Sequence, residues 1–152
     1  GKIGATDKIE TDNDESLYTD PAEAEEFVAK TGVDTLAVSI GTAHGVYPVK
    51  NPKIDLERLA QIRKRVSIPL VLHGGSGLPP ETVQAAITIP GGGVSKINIA
   101  TDLEQAFLGS LGCQRKTNRE IWQMDEKALA EAAEAVQRVV EDKIKNFLLW
   151  KG

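Results

Sequence analysis

Cysteine is nearly absent from this chain, and its absence narrows the chemistry. Cys113 is the single one, so neither an internal disulfide nor a cysteine-rich zinc site is available. Histidine is almost as scarce, with only His44 and His73 in 152 residues. Positive charge is not in excess either. A formal net charge of -4 argues against nucleic acid as a partner, because phosphate-backbone binding usually shows as a basic face. No apolar run approaches the ~20 residues that span a bilayer, so no membrane partner is expected. A charged-then-apolar leader is missing too, and with it any sign of secretion. These absences favour a cytoplasmic protein.

What is present fits a soluble globular protein. At 152 residues, 41% hydrophobic and 26% charged, the chain has the length of one domain and enough apolar material for a sizeable core. A single domain over residues 1–152 is therefore expected.

Three apolar runs organise it. The first, Thr35 to Ile40, breaks at Gly41 and delivers His44 against Gly45. The second, Ile68 to Leu72, ends in His73-Gly74-Gly75-Ser76-Gly77, and the third, Val94 to Thr101, ends in the small groups Asn98, Ala100 and Thr101. Each run is followed by a helical pattern. Strands alternating with helices mean right-handed βαβ units and a parallel sheet, with ligands beyond the carboxyl ends of the strands. Both histidines and Asn98 to Thr101 fall at that edge.

Around these runs the remaining elements can be placed. Residues 5–18 are polar and acidic with no hydrophobic period, and read as a mobile loop. Asp20-Pro21 opens a helix, with Glu23 placed to reach back to the cap and Thr31-Gly32 as its stop. The first strand is mostly apolar and is expected to be buried on both faces. Ile54 to Val66 is helical, and Pro79-Pro80-Glu81 begins a short helix to about Ile87. Gly91-Gly92-Gly93 precedes its strand, at the wrong end for a ligand, and reads as a connection. Thr101 or Asp102 caps a helix through Leu108. Residues 112–118 are expected to be loosely ordered. Residues 125–149 form a long amphipathic helix, whose stripe of Leu129, Ala132, Val136, Val139, Val140, Ile144 and Phe147 reads as ordinary core.

At the sheet edge, neutral imidazoles suit zinc, and a catalytic zinc keeps three protein ligands and one open position. Two unrelated loop histidines, each bonded to a backbone carbonyl, would give the same spacing. The Gly74–Gly77 run offers unobstructed backbone N–H groups and a hydroxyl, and Asn98 to Thr101 opens a helix whose first amides favour an anion. Ordinary turn and cap chemistry is the plain alternative for both.

Three stretches carry a resemblance in order: TDPAEAEEFVAKTGVDTLAVSIGTAHGVYP, PLVLHGGSG and KINIATDLEQAF. Together they resemble the C-terminal half of class II, zinc-dependent ketose-bisphosphate aldolases, with GTAHG and NIAT closest to the tagatose-bisphosphate branch and its near fructose-bisphosphate relatives. The resemblance implies the C-terminal part of a (β/α)₈ TIM barrel and a long C-terminal helix. By the same resemblance, His44 and His73 match two of the family's three zinc histidines. Gly45, Gly74 and Ser76 match its phosphate-binding loops, and Asn98, Ala100 and Thr101 its substrate and phosphate segment. Zn2+ in this family polarises the ketose carbonyl and stabilises the enediolate formed as the carbon–carbon bond breaks.

The family's third zinc histidine and its acid–base aspartate belong to its N-terminal half, and no residue here replaces them; Asp7 is a poor stand-in. Pro48 occupies a place where fructose-bisphosphate members often have lysine, with Lys50 nearby. The resemblance therefore implies a chain that cleaves a ketose 1,6-bisphosphate, of the tagatose or fructose series, into dihydroxyacetone phosphate and glyceraldehyde 3-phosphate only with the missing half or a partner copy. A homo-oligomer would supply the latter. The alternative is a non-catalytic sugar-phosphate-binding half-barrel or assembly subunit, since some tagatose-type members work with a separate partner protein.

Overall fold

The structure, a computed structural model, describes residues 17–47 and 52–150. The Gly1–Gly4 stretch, most of the acidic 5–18 loop, Asp7, Pro48 and Lys50 lie outside the described residues. The described chain divides between Ile99 and Ala100 into two compact units.

The first unit holds α1 (Pro21–Thr31), β1 (Leu36–Val38), α2 (Leu56–Arg65), β2 (Leu70–Leu72), α3 (Pro80–Ile87) and β3 (Val94–Ile97). The Asp20 carboxylate accepts from the N–H groups of Ala22 and Glu23 at 2.7 and 3.0 Å, which starts α1, and Gly32 ends it in the left-handed conformation. Asp55 starts α2 by accepting from Arg58 N–H at 2.8 Å. Those two aspartates satisfy amide groups that a helix leaves open, which is why both helices begin where they do.

The three strands form one parallel sheet in the order β1-β2-β3. Leu36 pairs with Leu70 and Val38 with Leu72, while on the other side Val71 pairs with Lys96, leaving Ser95 as an extra residue in β3. Beyond that irregularity the ladder runs on: Asn98 N–H donates to Leu72 C=O, and Gly75 N–H to Asn98 C=O. The core comprises Val38, Ile40, Leu59, Ile62, Leu70, Leu72, Val83 and Ala86, all buried.

β1 departs from expectation. Val38 and Ile40 are buried, yet Ala37, on the opposite face of the strand, is exposed, so only one face of β1 meets the core. Only β2, between two neighbours, buries all three of its residues. At the opposite end of the sheet Gly93 is packed so closely that an added Cβ would stand 1.7 Å from Ala86 C=O. The glycine run is thus a connection, and a tight one.

The second unit holds α4 (Thr101–Ser110), α5 (Asn118–Trp122) and α6 (Glu126–Asn146). Neither Thr101 nor Asp102 caps α4. Ala100 takes the cap position without a side-chain bond, and the Asp102 carboxylate instead pairs with Lys143 of α6 at 2.7 Å. The 112–118 stretch leads into a helix that sequence reasoning missed, α5. Thr117 and Glu120 form its capping box, each side chain accepting from the other's backbone N–H.

The α6 stripe is only partly core. Ala132 and Phe147 are buried, whereas Val140 and Ile144 are 38% and 39% exposed. The exposed pair lies between the two buried positions, so the uncovered part is a patch within the stripe.

Candidate metal and phosphate site

The sheet order places the ends of β1, β2 and β3 side by side, and with them three polar side chains. His44 lies in the loop after β1, His73 directly follows β2, and Asn98 directly follows β3. His44 Nε2 is 3.2 Å from His73 Nδ1, and the rings meet edge to face with centroids 5.4 Å apart. Asn98 Nδ2 is 2.9 Å from His73 Nε2. Lys96 Nζ donates to the Asn98 amide oxygen. The same amide nitrogen is 3.2 Å from His73 Nδ1, so Asn98 lies against the imidazole between its two nitrogens.

Although its side chain is exposed, some desolvation, followed by the positive character of His44 and Lys96, holds His73 below the ordinary imidazole range. A neutral ring is the form that binds metal. The spacing also fits. Two nitrogens bound to one tetrahedral zinc at about 2.0–2.1 Å stand about 3.3 Å apart, close to the 3.2 Å between these rings. Two nitrogens are an incomplete set: among the described residues no cluster of three or more His, Cys, Asp and Glu side chains is placed to hold a metal.

The glycine loops pack closely at the same edge. Gly45 follows His44 with φ of 97°. Gly74, with φ of 68°, has the Ala43 carbonyl oxygen 2.3 Å from where its Cβ would be. The expectation that the whole Gly74–Gly77 run offers free amides is narrowed: Gly75 N–H is taken by Asn98 C=O at 2.9 Å, and Ser76 is buried. Ala100 and Thr101 stand at the head of α4, in the second unit.

Two residues at this edge went unrecognised in the sequence. Lys96, in β3, stands two positions before Asn98, a spacing that signals a common face in extended chain, and its ammonium orients the amide. Tyr47 has no comparable signal, since a loop tyrosine three residues beyond His44 has no fixed periodicity. Burial raises its hydroxyl above the ordinary phenol range, against the opposing effect of the Ala43 N–H bond.

Residues 1–149 match the fructose-bisphosphate aldolase class-II family. Among solved structures the chain is similar to the YdjI aldolase from Escherichia coli K12, with 40% identity and a TM-score of 0.69 over 86% of this chain and 46% of that one. It is also similar to a candidate fructose-1,6-bisphosphate aldolase from Coccidioides immitis, at 29% identity and a TM-score of 0.61 over 82% of this chain and 42% of that one. The chain thus spans less than half the length of either. Three motifs at one sheet edge, two converging imidazoles and a match over nearly its whole length place this chain in the class II fructose-bisphosphate aldolase family.

Proposed function

We propose that this chain forms part of a cytoplasmic, zinc-dependent aldolase that cleaves a ketose 1,6-bisphosphate into dihydroxyacetone phosphate and glyceraldehyde 3-phosphate. The observation that carries this is the 3.2 Å approach of His44 Nε2 to His73 Nδ1 in a chain of that family. A zinc ion bound there supplies Lewis acidity at the substrate's carbonyl oxygen. His44 and His73 hold it, and the third ligand comes from outside the described residues, from the rest of a longer chain or from a second copy. Asn98, oriented by Lys96, holds the His73 ring and presents an amide to the substrate's hydroxyls. Gly45, Gly74 and Ser76 serve phosphate from the first unit, and by the family resemblance the head of α4, Ala100 and Thr101, is a phosphate segment of the second. The acid–base aspartate has no counterpart here, so these 152 residues alone are expected to be inactive.

Zinc content of the full-length protein, measured with aldol cleavage before and after chelation, tests this. About one zinc per subunit, with activity lost on chelation and restored by zinc, is the expected result. Full cleavage activity in a zinc-free protein would refute it. The absence of a third ligand among the described residues favours a second reading, a non-catalytic sugar-phosphate-binding subunit. Ketose bisphosphate binding without cleavage in the full-length protein would select that one.

A further inference from the structure

Tyr47 belongs to no helix or strand, yet its hydroxyl makes two bonds of 2.9 Å: it accepts from Ala43 N–H and donates to Gly74 C=O. Ala43 immediately precedes His44, and Gly74 immediately follows His73. One oxygen therefore ties the residue before one imidazole to the residue after the other. The ring lies along the same loop, with Cδ2 3.4 Å from where a Cβ on Gly77 would stand.

The position matters because regular pairing has ended. The last register pair of β1 and β2 is Val38 with Leu72, and beyond it the two chains leave the ladder. His73 stays flanked by the ladder to β3, through Asn98 N–H to Leu72 C=O and Gly75 N–H to Asn98 C=O. The loop that carries His44 has left its ladder, and such loops move more than the strands that carry them. The two imidazoles keep a metal-binding spacing only if the His44 loop is held to the His73 loop. A phenol suits the task, since a single oxygen both donates and accepts and the ring cannot bend away.

We propose that Tyr47 is a positioning residue that sets the separation of the two histidine ligands. The proposal rests on the reading of His44 and His73 as zinc ligands. Groups that orient metal ligands from outside the coordination sphere typically change affinity by about 10–100-fold when removed. Tyr47→Phe keeps the ring and removes only the hydroxyl, leaving Ala43 N–H and Gly74 C=O without this partner.

The test compares the full-length wild-type protein with Tyr47→Phe and His73→Ala. Zinc affinity is measured by competition titration, and ligand geometry by the visible spectrum of the cobalt(II) form. Tyr47→Phe is expected to weaken zinc by roughly tenfold or more and to shift the cobalt bands, with the metal-free far-UV spectrum unchanged. His73→Ala is expected to lose tight zinc binding outright. Wild-type zinc affinity and cobalt spectrum in Tyr47→Phe, alongside loss in His73→Ala, overturn the positioning role and leave the zinc reading standing. Retention of zinc by His73→Ala overturns both. Should Tyr47→Phe not fold, amide hydrogen exchange in the wild-type protein decides. Ala43 N–H is expected to be protected about 100-fold or more, and further protected by zinc. Unprotected exchange at Ala43 overturns the proposal.

Discussion

The carbonyl oxygen of Ala43 stands 2.3 Å from the place a β-carbon on Gly74 would occupy. The loops that carry His44 and His73 therefore touch backbone to backbone, with no room for a side chain between them. Gly74 also has φ of 68°, a conformation that L residues adopt reluctantly. Gly74→Ala is expected to destabilise the fold by about 2–4 kcal/mol in urea unfolding, through strain and displacement of a loop. Zinc affinity should fall with it. A variant as stable as wild type would show that the two loops are not in contact.

Gly92 and Gly93 offer an internal comparison of conformation against space. Gly92 has φ of 89° and nothing within 4 Å of an added Cβ, whereas a Cβ on Gly93 would collide with Ala86 C=O at 1.7 Å. Gly92→Ala should cost about 1–2 kcal/mol, the ordinary penalty for a left-handed residue. Gly93→Ala must push α3 away from β3 and should cost more than 3 kcal/mol or abolish soluble expression. Equal unfolding midpoints for the two variants would contradict this packing.

Asp20 makes the start of α1 sensitive to acid. Hydrogen bonds from Glu23 N–H and then Ala22 N–H hold its carboxyl below the ordinary value of 3.8. The folded form thus favours the carboxylate. Its contribution is complete above the ordinary carboxylate range and is lost as pH falls through the lowered folded value. Asn keeps an acceptor oxygen without the titration. The wild type is therefore expected to lose thermal stability between about pH 5 and pH 2 more steeply than Asp20→Asn. Parallel pH profiles would exclude a special role for this carboxylate.

How much of this was legible in the sequence depends on how local the cause is. Asp20-Pro21 and Pro80 opened their helices as read, because a cap acts within one turn. The juxtaposition of His44, His73 and Asn98 followed from strand–helix alternation, which fixes where strand ends lie in a parallel sheet. Thr117 and Glu120 also form a local signature, yet the polar stretch around them hid the short helix α5. The exposure of Ala37 and the pairing of Asp102 with Lys143 were out of reach, since each depends on what a distant element covers. Tyr47 and Gly74 meet across 27 positions of sequence, so nothing in either motif announces the contact.

Buried and exposed positions of the α6 stripe should respond differently to truncation. Phe147 is 1% exposed, with Lys143 Nζ 4.1 Å from its ring centroid, and Lys143 is itself paired with Asp102. Removing the ring opens a cavity and strips the ammonium of its aromatic face, so Phe147→Ala should cost about 3–5 kcal/mol. Ile144, three residues earlier and 39% exposed, leaves no comparable cavity, and Ile144→Ala should cost under about 1.5 kcal/mol. Chemical denaturation of the two variants under one set of conditions checks the difference. If Ile144→Ala proves as costly as Phe147→Ala in the full-length protein, that side chain is covered in solution by something beyond the described residues, and the exposed patch of the stripe is an interface.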